Sequence, residues 1–251
     1  MPISLIRVLF LMFLFISGVA PVFSACEDKA APEVNWANCD FSGKDFRNSD
    51  LSNAVLTNAI LNGADFSGAL LEHTDFNFAS LENALFDGAR MSSARLVAVK
   101  ARGASFKNAV MVNSRLSRSQ LQQADFTGVR ADNANFYQAD LGLAIFTDAR
   151  LNKSNFEGSD LSDANFHQSV LDQSVLRDSR LRNTSLIEAS MIKVIFDESD
   201  CRGADFSKAD LSKASFRDAD IEESIFDQAI LKDTTWSNYK RCRSNSIGVC
   251  K

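Results

Sequence analysis

The sequence predicts an all-β solenoid, a chain that turns a corner every five residues and stacks its turns on one another. Three observations carry this. A large apolar residue recurs at every fifth position from Phe41 to Leu231, running Phe41, Phe46, Leu51, Leu56, Leu61 and onward, with only Ala101, Ala131 and Cys201 breaking the series. Two residues before each of these stands a small one, as in Ala54, Ala59, Ala64, Ala69, Ser154 and Ala164. The two positions after each are rich in Ser, Asn, Asp and Gly, as in Ser42-Gly43, Ser67-Gly68 and Asp87-Gly88. Ordinary elements cannot hide such a pattern. A helix advances about 100° per residue, so a step of five wanders around its surface. A flat strand would send successive centres to opposite faces. A chain that bends once per repeat sends every centre to a common axis and keeps the small residue for the crowded inward position. The Ser, Asn, Asp and Gly pairs then supply the corner.

The quoted segments support a family assignment. Ala64-Asp65-Phe66-Ser67-Gly68, Ala124-Asp125-Phe126-Thr127-Gly128 and Ala204-Asp205-Phe206-Ser207-Lys208 resemble the pentapeptide repeat family, whose unit is A-(D/N)-(L/F)-x-x. The resemblance covers most of the chain. It implies a right-handed quadrilateral β-helix with four repeats per coil. On that basis the repeats make about ten coils and a rod roughly 45–50 Å long, at about 4.8 Å per coil. Each coil then buries its face only against its neighbours.

In chain order, residues 1–25 read as a secretory signal peptide. Arg7 gives the positive start, Val8 to Ile16 the apolar run, and Ser17, Gly18, Val22, Ser24 and Ala25 the small residues of a cleavage region. The apolar run is too short for a membrane span. Cys26 follows Phe23-Ser24-Ala25, which resembles a lipobox with Phe where Leu is usual. Two fates stay open for Cys26: acylation, which would anchor the chain to a membrane, or a disulfide with Cys39. Residues 26–40 form an N-terminal cap, 41–235 the repeats, and 236–251 a C-terminal cap or tail. Trp36 and Trp236 hold the central register at the two extremes.

The five cysteines fit an exported chain. Cys26–Cys39 and Cys242–Cys250 are expected to staple the two ends, while Cys201 sits at an inward centre as a small hydrophobe. Neither cysteine pair has zinc spacing, and His73 and His167 lie outside the inward register. The three prolines, Pro2, Pro21 and Pro32, all precede the repeats, as a hydrogen-bonded ladder requires. Ala101 follows Val99 and Ala131 follows Val129, which reads as exchange of volume between neighbouring inward positions. Val194 has no such exchange. Lys44, at a normally small inward position, is placed to reach out of the open first coil.

The net charge of -5 predicts no general attraction to nucleic acid. One stretch departs from this balance. Arg90, Arg95, Lys100, Arg102, Lys107, Arg115 and Arg118 stand between Arg90 and Gln123 with no Asp or Glu. With twenty residues per coil, Arg95 stacks on Arg115, which is costly unless offset. Arg95, Lys100, Arg102, Arg115 and Arg118 are the candidate partner-binding residues, for an acidic protein or an anionic envelope polymer. The competing reading is a solvated face balanced by acidic neighbouring coils. Val170, Val175, Ile187, Ile192 and Ile195 form a second, apolar candidate patch, or ordinary cross-strand packing.

No catalytic set, phosphate loop or metal cluster assembles, and no cofactor is expected. Asp140 with Asp160, and Asp200 with Asp220, should stack as carboxylate pairs on a flat face without a cleft. The expected function is therefore a non-enzymatic scaffold in the cell envelope, in the periplasm or outside the cell. A homodimer is left open as its assembly. The resemblance also implies an alternative, a DNA mimic that binds a topoisomerase. The signal peptide and the basic stretch both oppose it.

Overall fold

The computed structural model describes residues 26–251. The expected signal peptide, residues 1–25, lies outside the described residues. From Asn35 to Thr235 the backbone forms one unbroken set of parallel bridges in which residue i pairs with residue i + 20, once every five residues. Four bridged segments and four corners therefore make each turn of the chain. We label the sides A, B, C and D from the outward residues Asp40, Asp45, Asp50 and Val55.

The five backbone N–H groups of a repeat account for the geometry. In the repeat 51–55, the Leu51 N–H donates to Leu70 O (2.8 Å) and the Asn53 N–H to Glu72 O (2.9 Å), both in the next turn. The Val55 N–H donates back to Val34 O (2.9 Å), and the Ala54 N–H closes the corner on Leu51 O (3.0 Å). Only the Ser52 N–H lacks a carbonyl, and the Asp50 carboxylate accepts it at 3.0 Å. That is why Asp and Asn recur before the centre: their side chains satisfy the amide two residues on. Where that position is not Asp or Asn, the turn below can supply the acceptor. Asn77 serves Val97 N–H, above Arg95, and Asp87 serves Lys107 N–H, above Ser105.

The third corner residue is left-handed throughout, with φ of +59° at Asn53 and +65° at Gly43. Asn and Gly adopt this region at least cost, and longer polar side chains such as Arg118, Lys153 and Glu188 also occupy it here.

Inside, the centres and small residues form one continuous core. Sides B and D carry the aromatic centres except Phe41, which is on side A. Phe86, Phe106, Phe126, Phe146 and Phe166 stack on side B at centroid separations of 4.6–5.0 Å. Side D meets them edge-on, as in Phe136 against Phe146 at 5.9 Å. Sides A and C carry mostly Leu. Ala101 with Val99, Ala131 with Val129, Val194 and Cys201 are all buried. Most hydroxyls at the small position avoid a burial penalty by donating to carbonyls, as Thr74 does to Leu51 O (2.8 Å) and Ser159 to Phe156 O (2.7 Å); Ser114 is the exception. Lys44 is exposed.

Both ends are closed. Cys26 is bonded to Cys39, and Trp36 packs on Phe41 and Phe46 at 4.5 and 5.2 Å. At the other end the tail reverses direction. Ile247 pairs antiparallel with Ile230 and Arg241 with Thr235, and Cys242 is bonded to Cys250. This tail covers the edges of sides C and D.

Candidate interaction face

The seven cations of the basic stretch do not form one stripe. The twenty-residue turn deals them around all four sides, and the turns above and below neutralise three of them. Arg90 on side C meets Glu72 at 3.0 Å, Arg95 on side D meets Asp75 at 3.5 Å, and Lys107 at the B–C corner meets Asp125 at 3.1 Å. Arg95 does stack on Arg115, and its turn toward Asp75 offsets the repulsion. For these three the solvated, balanced reading holds.

The other four behave differently. Lys100 on side A, Arg102 at the A–B corner, Arg118 at the D–A corner and Arg115 beside it on side D are exposed. Among the described residues none has a carboxylate within 4.0 Å. The only side-chain contact among them is Arg102 Nε to Gln123 Oε1 at 3.4 Å. They are contiguous around side A. A second property coincides with the charge. Lys100, Arg115 and Gln120 stand where 16 of the 41 positions from 35 to 235 carry Asp or Asn, and the N–H groups of Arg102, Ser117 and Gln122 meet no protein acceptor, as at other repeats without a cap such as Thr57 and Ser92. Unpaired cations beside open donors favour an incoming anion.

The remaining candidates carry less. Val170, Val175, Ile187, Ile192 and Ile195 are all half-buried, and Val175 pairs with Ile195 in the ladder. The carboxylate pairs stack as expected but are not isolated. Asp160 meets Arg180 at 3.4 Å, and Arg202 lies between Asp200 and Asp220 at 2.8 and 3.3 Å. Hydrogen bonds from Arg202, with Arg182 adding to them, hold the Asp200 carboxyl far below the usual range despite partial burial. A group held ionised in this way is a poor proton donor near neutral pH. Among the described residues no three His, Cys, Asp or Glu side chains gather to hold a metal, and no helix is long and apolar enough to cross a membrane.

Two side chains at this face escaped the sequence reading. Phe78 at the D–A corner and Leu143 at the A–B corner are 59% and 53% exposed, and both are left-handed, with φ of +61° and +62°. The signal was present in the register: both occupy the corner position that otherwise holds Asn, Gly or another polar or small residue in the repeats.

The comparisons agree with this architecture. Family models described as pentapeptide repeats match residues 33–63 and 49–88, and models of the pentapeptide repeat region match 79–156, 102–176 and 149–226. Among solved structures, HetL from the cyanobacterium Nostoc sp. strain PCC 7120, a pentapeptide repeat protein involved in heterocyst differentiation regulation, is similar. It is 24% identical over 84% of this chain and 92% of its own, with a TM-score of 0.68. A trypsin-treated form of QnrB1, a plasmid-mediated fluoroquinolone resistance protein, is 18% identical over 76% of this chain and 86% of its own, with a TM-score of 0.42. No curated protein sequence matches. The first likeness speaks for the fold alone. The family models span residues 33 to 226, well over half of the sequence, and the chain belongs to the pentapeptide repeat family.

Proposed function

We propose that the chain is a right-handed solenoid of about ten coils, exported through its N-terminal leader. It acts in the cell envelope as a non-enzymatic scaffold that binds a partner on its flat outer sides. The observation that carries the binding role is the contiguous group Lys100, Arg102, Arg115 and Arg118, which no carboxylate of the described residues approaches within 4.0 Å. The core is complete without a ligand, and the outer surface offers flat sides instead of a deep cleft. The disulfides at both ends support an oxidising compartment.

Two measurements test this. Intact mass of the protein from the envelope fraction should show a chain beginning at or near Ala25 or Cys26, without added lipid. A full-length cytoplasmic product would overturn export. Capture from envelope extract should retain a partner at low salt and lose it as salt screens charges over about 10 Å. Arg102→Gln, Arg115→Gln and Arg118→Gln together should weaken that capture. They should leave the melting temperature about unchanged, because exposed charges contribute at most about 1 kcal/mol each. Capture that ignores both salt and the triple change would remove the basic face from the function.

A further inference from the structure

We propose that side A is a docking surface for an acidic protein segment, held by the four free cations and anchored by Phe78 and Leu143. The inference rests on the scaffold reading and names its partner class. The carrying observation is the conformation of the two anchors. Within the repeats, the left-handed corners otherwise hold Asn, Asp, Gln, Glu, Lys, Arg, Ser, His, Gly or Ala, and Phe78 and Leu143 are the only large apolar side chains there. A bulky side chain in that region is strained. Each is also more than half exposed, so neither gains burial in the core. Strain and exposure together stabilise nothing in the free chain. A partner that covers the side chains reverses the balance.

Their placement fits one kind of partner. Phe78 and Leu143 sit on the two corners that bound side A, with Lys100, Arg102 and Arg118 between them along the axis. They are a little over three turns apart, roughly 16 Å along the axis, which an extended segment of roughly six residues spans with the offset across the side. Leu143 and Arg102 line one shallow groove with Gln122, Gln123, Asp160 and Asp163, so the acidic run lies on the Lys100 and Arg118 side of Leu143, away from those two carboxylates. Carboxylates of the segment would lie over the cations. They can also accept from the Arg102, Ser117 and Gln122 N–H groups, as Asp205 accepts from the Ser207 N–H at 2.9 Å elsewhere in this chain. An apolar residue at each end of the acidic run would cover Phe78 and Leu143, giving the aromatic and aliphatic anchors on which protein interfaces depend. An inorganic polyanion would satisfy the cations but gain nothing from the anchors.

The test places the photo-crosslinking residue p-benzoylphenylalanine at Phe78 or at Leu143 of the full chain in its native cells. Asn53, at the C–D corner, serves as the control. The expected result is one protein crosslinked at both positions and not at Asn53, with the attached peptides acidic and containing apolar residues. Lys100→Gln, Arg102→Gln and Arg118→Gln together should reduce the adduct about tenfold or more. With the isolated partner, Phe78→Ser should weaken binding roughly tenfold, the order expected for one buried apolar side chain. Phe78→Ser and Leu143→Asn should melt no lower than the unchanged chain, so misfolding does not explain a loss. Adducts on neutral or basic peptides, or adducts indifferent to the Gln changes, overturn the proposal. Adducts at Asn53 alone overturn it while leaving the scaffold reading intact; no adduct at any position counts against both. Polyphosphate bound by the purified protein, lost with the Gln changes but unaffected by Phe78→Ser, would assign the face to an inorganic polyanion instead.

Discussion

Replacing Phe146 with Ala tests the claim that stability is held locally, turn against turn. Phe146 is fully buried. Its ring stacks on Phe126 at 4.7 Å and on Phe166 at 4.6 Å, and meets Phe136 and Phe156 edge-on at 5.9 Å each. Deleting a buried Phe side chain costs about 3–5 kcal/mol. This site belongs at the upper end, because four aromatic contacts of about 0.5–1.5 kcal/mol beyond area burial are lost together. Phe46 supplies the comparison. It is half-buried in the first turn, with three aromatic neighbours, Phe66 stacked at 5.0 Å, Trp36 at 5.2 Å and Phe41 at 5.6 Å. Phe46→Ala should therefore cost less chiefly because less area is buried, and should stay at or below the lower end of about 3 kcal/mol. Thr147→Asp, one residue beyond Phe146 and facing outward, should stay within about 0.5 kcal/mol of neutral. Denaturant titration gives the three midpoints. Hydrogen exchange should show Phe146→Ala loosening the turns on both sides of residue 146, because each turn is supported only by its neighbours. Equal losses for Phe146→Ala and Phe46→Ala, or a large loss for Thr147→Asp, would refute the register and the local origin of stability.

Other outcomes follow from particular groups. Cys250→Ser should cost at most about 2.5 kcal/mol by loop closure, and the protected amides lost should be those of Leu231 and Gly248, not Phe146. Burial pushes the Cys201 thiol up to about 12, so a thiol reagent at pH 8 should label it only after denaturation; rapid labelling of the native chain would contradict its inward placement. Acid should destabilise the fold late. Hydrogen bonds from Arg47 hold the Asp45 carboxyl down at about 2. Asp197 is also lowered, because Arg217 and Ser215 outweigh its burial, and Asp200 is lowered by Arg202. A depressed folded pKa contributes stability that is present above the unfolded value near 4 and lost below it. Melting temperature should be nearly flat from pH 7 to 5 and fall between about pH 4 and 2.

The interior was legible in the sequence because each of its rules acts every five residues. A centre that missed the axis would leave a cavity, so Phe41 to Leu231 keep step and two of the three exceptions are compensated nearby, as Val99 compensates Ala101 and Val129 compensates Ala131. The Asp before each centre was also legible as structural, and Asp50 on Ser52 N–H shows the reason. The outer surface was less so. Its neighbours are set by the turn of twenty, not the repeat of five, and a linear run of seven cations looks like one patch until it is dealt around four sides. Arg90 and Lys107 then find Glu72 and Asp125, which lie eighteen residues away on adjacent turns. Reading charge along the chain overstates such a patch; reading it along the columns leaves Lys100, Arg102, Arg115 and Arg118.

The same reasoning says where a solenoid of this kind records its function. The centre and the small residue before it are fixed by the core, and they carry no information about partners. The residue before the centre faces outward but is drawn toward Asp or Asn by the amide it caps. Replacing it with Lys100 or Arg115 gives up that hydrogen bond. The last corner residue must be left-handed, and replacing Asn or Gly there with Phe78 or Leu143 adds strain. Departures from Asp or Asn before the centre are common, at 25 of the 41 positions from 35 to 235, and signal nothing alone; a large apolar side chain at the left-handed corner is confined within the repeats to Phe78 and Leu143 and needs a cause outside the free chain. Departures at the other corner position, where Val97 and Val112 are accommodated without strain, need none. Uncapped amides occur on every side, as at Asp87, Ser92 and Thr57, and do not distinguish side A; the unpaired cations and the two apolar left-handed corners that meet there do.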